Sequence, residues 1–194
     1  MKKTILSIIC VIAMLLSLSA CVTNAAEDAK LAQLSDYAAT PYDSYTIQIV
    51  TTNRNGGKVT QKHSVAVIDG VRNVTSRTET INSFVIDGES ITAPDEYMTV
   101  TESTTTVNVS DSTAFGLPSF KFSRDALTNI KWDEESYPYV MTADITSTAA
   151  FMQDDLDGTG FKLEVEYVTG SIYSLQISYK AVSGNNITVI YTFG

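Results

Sequence analysis

Apolar and polar residues alternate most cleanly in the last third of the chain. Phe161, Leu163, Val165 and Tyr167 form one set, Tyr173, Leu175, Ile177 and Tyr179 a second, and Ile187, Val189, Tyr191 and Phe193 a third. A period of two predicts half-buried strands. The turn sequences between them, Thr169-Gly170-Ser171 and Ser183-Gly184-Asn185-Asn186, predict an antiparallel meander with one buried face. The pattern recurs near the start. Tyr45, Ile47 and Ile49 alternate, Asn55-Gly56-Gly57 supplies residues that accept positive φ for a hairpin, and Val59, Val65 and Val67 follow on one face. Asp69-Gly70 and Asp87-Gly88 predict further turns, separated by a weaker strand over 71–79 and a better one over 81–86. The run Tyr97 to Val109 is dense in Thr and Val, and Tyr139 to Ile145 is apolar and short; both read as strand.

Three segments carry helical signals instead. Ala29, Leu31, Ala32, Leu34 and Tyr37 make an approximately helical stripe with Asp28 near its start, ended by Pro41, which disfavours helix at the residue before it. Ser123 is placed to cap a helix over 123–130 that would bury Ala126, Leu127 and Ile130. Thr146 to Asp154 has room for one or two helical turns. No low-complexity linker interrupts residues 44–194, so they are expected to form a single β-rich domain. The fold class expected is α+β, mainly β, an antiparallel sheet with a few helices covering one face.

The first 20 residues differ from the rest. Lys2 and Lys3 precede an apolar run, Ile5 to Ala20, and Leu18-Ser19-Ala20-Cys21 closes it. Sixteen apolar or small residues are short for a span, which needs roughly 20, and polar, acidic sequence follows at once. The layout resembles a bacterial lipoprotein signal. That resemblance implies lipidation of the Cys21 thiol, removal of residues 1–20, and an extracytoplasmic protein held on the cell membrane by its acyl chains. Residues 21–43 would then be a lipidated tether leading into the first helix. An ordinary secretory signal cut near Ala25-Ala26, or an uncleaved anchor, are the alternatives.

Charge and cysteine content narrow the chemistry. Removing residues 1–20 takes Lys2 and Lys3 away and leaves 11 Lys and Arg against 22 Asp and Glu, a formal charge of −11 rather than −9. An acidic surface argues against nucleic acid and against a polybasic membrane patch. Cys10 and Cys21 are the only cysteines, so a domain beginning at Cys21 would have no disulfide and no thiol nucleophile. His63 is the only histidine, on the same predicted face as Val59, Val65 and Val67; it is a base in search of a partner, and reads better as a half-exposed strand residue. Asp155, Asp157, Thr159, Gly160 and Glu166 fit several positions of a calcium loop. However, Phe161 to Tyr167 continues as a strand where that loop needs a helix, so a turn is the better reading and no metal is expected. No nucleophile elbow, phosphate loop or zinc-protease motif is present. A non-enzymatic protein without cofactors is expected.

The order of elements resembles the LolA/LppX/LprG superfamily of lipid-handling proteins. The resemblance is one of layout: the lipoprotein cysteine, an N-terminal helix, strands joined at Asn55-Gly56-Gly57, Asp69-Gly70 and Asp87-Gly88, a helix-containing insertion around Leu117 to Ile130, Tyr139-Val-Met-Thr-Ala-Asp-Ile, and the terminal meander ending in Phe193-Gly194. It implies a strongly curved half-barrel whose helices close over a lipid-binding cavity, and a protein that binds or carries an amphiphile at the membrane. Candidate ligand-binding residues are Tyr45, Ile47, Ile49, Val65 and Val67 on the first two strands, and the only tryptophan, Trp132. The hydroxyl-rich positions Thr99, Thr101, Ser103 and Thr105 depart from a uniformly apolar cavity. A β-sandwich adhesion or glycan-binding module using its strand tyrosines, and a subunit of a surface complex, are the competing expectations.

Overall fold

The computed structural model of the protein describes residues 25–86, 89–92, 98–108 and 114–194. Cys21 and the turn residues Asp87 and Gly88 lie outside these. Eleven strands and two helices occur among the described residues: α1 (25–38), β1 (Ser44–Thr52), β2 (Lys58–Ile68), β3 (Val71–Ile81), β4 (Ser83–Ile86), β5 (Glu89–Thr92), β6 (Met98–Asn108), β7 (Leu127–Asp133), β8 (Tyr139–Ile145), α2 (Thr148–Met152), β9 (Gly158–Val168), β10 (Ser171–Ala181) and β11 (Asn186–Phe193).

Nine strands form one antiparallel sheet in the order β6-β3-β2-β1-β11-β10-β9-β8-β7, and β4 pairs only with β5 as a separate hairpin. Two meanders, β1-β2-β3-β6 and β7 through β11, thus lie side by side, joined where β1 pairs with β11. β6 and β7 remain the two edges, and the sheet is not closed into a barrel. A sandwich needs a second packed sheet; here the second sheet is only the β4–β5 hairpin.

Turn chemistry sets the registers. Asp69 and Gly70 both adopt positive φ, 51° and 75°, so Ile68 and Val71 face each other across a tight two-residue turn. Between β1 and β2, Asn53 accepts backbone hydrogen bonds from Asn55 and Gly57 on its side-chain oxygen, which holds Thr52 opposite Lys58.

One face of the sheet carries the core. Leu163, Val165, Leu175 and Ile177 are buried there, with Met141, Tyr191 and Phe193 on neighbouring strands. Leu31 and Leu34 of α1, Phe120 and Phe122 of the connection from β6 to β7, and Phe151 and Met152 of α2 join the same cluster. That connection must pass from one edge of the sheet to the other, and residues 114–126 do so across the core. Their backbone is tied down on the way: Lys121 N–H donates to the Phe151 carbonyl, and Phe122 N–H to the Ser35 hydroxyl on α1. The rings of Phe120, Phe151, Phe122 and Tyr191 pack edge-on or tilted, with centroids 5.1 to 5.6 Å apart.

The N-terminal helix, the strand over Tyr139 to Ile145 and the short helix after it form where the sequence predicts them. Ser147 caps α2 by accepting from Ala150 N–H. The helix expected over 123–130 does not form. Ser123 O accepts from both Ala126 and Leu127 N–H, a single turn, and the chain then enters β7. Ala126 and Leu127 are buried as expected, but from a turn and a strand. A second correction concerns β10. Ile172 is buried, whereas Tyr173 is 55% exposed. Ile172 pairs with Tyr167 and Ser174 with Glu166, so Tyr173 is an extra residue that reverses the alternation.

Candidate functional site

Five of the six candidate ligand-binding residues come together. Tyr45, Ile47 and Ile49 on β1 and Val65 and Val67 on β2 share the core face, and Tyr45 lies directly opposite Val65. Tyr45, Ile47 and Val65 are buried; Ile49 and Val67 are half-buried at the core's margin. Tyr45 donates its hydroxyl to the Phe115 carbonyl at 2.7 Å, so the crossing segment is latched to β1 at this point. Burial raises the Tyr45 pKa, and the neighbouring Arg72 offsets part of that rise. Trp132 is elsewhere. It sits on edge strand β7, separated from β1 by β8, β9, β10 and β11. There it lines a crevice of about 140 Å³ under α1, with Lys30 over its ring at 5.2 Å. Lys30 is paired with Glu134 at 2.7 Å. Tyr167 in this crevice has its pKa pushed up to about 12 by burial and then by Glu134.

Beyond β1 the core face changes character. His63 on β2 pairs with Ser76 on β3, and Ser76 with Ser103 on β6. Thr78 faces Thr101 and Thr80 faces Thr99 in the same way, while Thr105 lies beside the fully buried Val74. The β6 hydroxyls at 99, 101, 103 and 105 are exposed. One face of one sheet therefore runs from packed aromatics, through Tyr45, Ile47, Val65 and Val74, onto an open ladder of hydroxyls. His63 stands at the border. Its Nδ1 is 2.8 Å from Ser76 Oγ and its ring 5.0 Å from Phe115, and burial lowers its pKa.

Of these border residues, His63 and the threonines of β6 stand out in the sequence. Phe115 does not, because its position depends on where the crossing segment lands. Ser76, Thr78 and Thr80 were hidden within the weaker strand, and only its pairing with β6 makes them part of a ladder. The acidic loop before β9 does not assemble the carboxylates of a calcium site: Glu166 accepts from the Ser174 hydroxyl on β10. Among the described residues no three His, Cys, Asp or Glu side chains are grouped to hold a metal ion, and no helix is long and apolar enough to cross a membrane.

No protein-family model matches this sequence, and comparison with curated proteins finds no match.

Proposed function

We propose that this chain is a non-enzymatic, lipid-anchored domain of the extracytoplasmic surface that binds an amphiphile at the border on its core face. The acyl chains on Cys21 provide the anchor, and the apolar part of the ligand lies along Ile49, Val65 and Val67 beside Phe115. Its polar part lies over the hydroxyls of β3 and β6. The observation that carries this reading is the passage, within one face of one sheet, from buried apolar side chains to an uncovered hydroxyl ladder. Apolar surface beside hydrogen-bonding groups is what an amphiphile requires of a site. The core under α1, Phe120 and α2 is filled by its own side chains, so the ligand lies beside the core and Trp132 takes no part. Native mass spectrometry of the full chain, together with titration by a fluorescent fatty acid, tests the proposal. A co-purifying lipid, or saturable probe binding lost in Val65→Asp or Phe115→Asp, is the expected result. Lipid-free protein that fails to bind the probe overturns it.

A further inference from the structure

The largest cavity among the described pockets is on the other face of the sheet, away from α1 and the crossing segment. It is a groove of about 520 Å³ over β7, β8, β9 and β10, within the roughly 300–1,000 Å³ that small-molecule sites occupy. A β-bulge forms its outer wall. Thr128 pairs with Asp144 and Lys131 with Thr142, so β7 carries one residue more than β8 over this stretch. Asn129 takes up the excess at φ 52°, a conformation in which few residues other than glycine are found. The bulge turns the edge strand toward the groove and delivers the Asn129 amide to Asp144 at 2.7 Å. Lys162 reaches the other oxygen of the same carboxylate at 2.5 Å, and these two partners hold the Asp144 pKa below its ordinary value. One wall is thus fixed. On the floor, Thr142, Glu164 and Gln176 stand side by side on consecutive strands. None of these three side chains donates to or accepts from another described residue.

We propose that this groove binds a neutral, polyhydroxylated ligand, a short saccharide chain. Its formal charges cancel, with Lys131 and Lys162 against Asp144 and Glu164, so it has no net attraction for an anion or a cation. What it offers is a fixed wall and a floor of donors and acceptors with no internal partner. Sugar hydroxyls, which both donate and accept, satisfy such a set; apolar ligands leave it unpaired, at a cost in affinity. The site is on the opposite face from the proposed amphiphile border and does not depend on it.

The test uses the full chain in detergent micelles, titrated with maltotriose and with the trisaccharide of N-acetylglucosamine. Calorimetry and backbone amide shifts are the readouts. Saturable binding of one sugar, with a Kd on the order of 1 mM or tighter and shifts confined to β7 through β10, is the expected result. Glu164→Ala and Gln176→Ala together should weaken it about tenfold or more while leaving the urea midpoint within error of wild type. Three outcomes overturn the proposal: no shift with either sugar, shifts that map to α1 or the core face, or tighter binding at the groove of inorganic phosphate or spermidine than of either trisaccharide.

Discussion

Ile177 and Val189 face each other on β10 and β11, yet their surroundings differ. Ile177 is completely buried, whereas Val189 is half-buried at the margin where the cover of the core thins out. Truncating Ile177 to Ala leaves a cavity the packed neighbours cannot fill, at about 2–5 kcal/mol. Val189→Ala removes only part-buried methyl groups and should cost about 1 kcal/mol. Gln176 points to the opposite, polar face, and its change to Ala should cost about 0.5 kcal/mol or less. Urea melts of the three variants check the order; equal losses at Gln176 and Ile177 would mean that both faces are packed. His63 gives a pH signature at the same scale. Burial lowers its folded-state pKa below 6.5, so below that value the unfolded chain binds the proton more readily than the folded one. Stability should therefore be full above about pH 6.5 and fall as pH drops toward the folded pKa. His63→Gln should flatten this part of the profile, measured as urea midpoints between pH 7.5 and 5. A profile unchanged by the substitution would show that His63 is not the group responsible.

At the level of elements, alternation is a strong signal wherever one face is buried, so the strands of the terminal meander and the β1–β2 hairpin were legible. Tyr45, Ile47, Ile49, Val65 and Val67 could be placed together because the Asn55-Gly56-Gly57 turn fixes which residues of β1 and β2 oppose each other. Trp132 could not be placed, because the order of strands in the sheet is decided by long-range pairing that leaves no local pattern. The errors have local causes. Ala126, Leu127 and Ile130 have helical spacing, but Thr128 and Ile130 are β-branched and Asn129 is at positive φ, so a single turn gives way to a bulged strand. Tyr173 continued a perfect alternation with Leu175 and Ile177, which hid the extra residue at that position. The bulge makes a direct prediction. Ile172→Ala should destabilise by about 2–5 kcal/mol, while Tyr173→Ser should change stability by about 0.5 kcal/mol or less. Thermal or urea unfolding of the pair decides between the bulged register and a regular one, in which the two costs would be exchanged.

The whole molecule is held by two long-range events: the pairing of β1 with β11, and the passage of residues 114–126 across the core to start β7 at the far edge. Both depend on α1, whose Leu31 and Leu34 are buried in the core and whose Ser35 hydroxyl accepts from Phe122 N–H. Arg124 on the crossing segment pairs with Glu27 and Asp28 in the first turn of the helix, and Trp132 donates to Glu27 at 3.4 Å. α1 is thus fastened to the domain from its beginning, at residue 25. Only residues 22–24 stand between that helix and Cys21, and four Cα steps reach at most about 14 Å. If Cys21 carries the acyl chains, the α1 end of the sheet must lie against the bilayer, because the tether is too short for the domain to turn freely above it. Two or more acyl chains hold a protein at a membrane, where one alone exchanges. Wild-type protein should therefore enter the detergent phase on cloud-point partitioning. Cys21→Ser removes the acceptor thiol and should give a form that partitions to the aqueous phase or keeps its first 20 residues, distinguishable by intact mass. Both forms should unfold at the same urea concentration, since the core begins at Leu31. Equal detergent partitioning of a processed Cys21→Ser protein would show that something other than acylation holds the domain at the membrane.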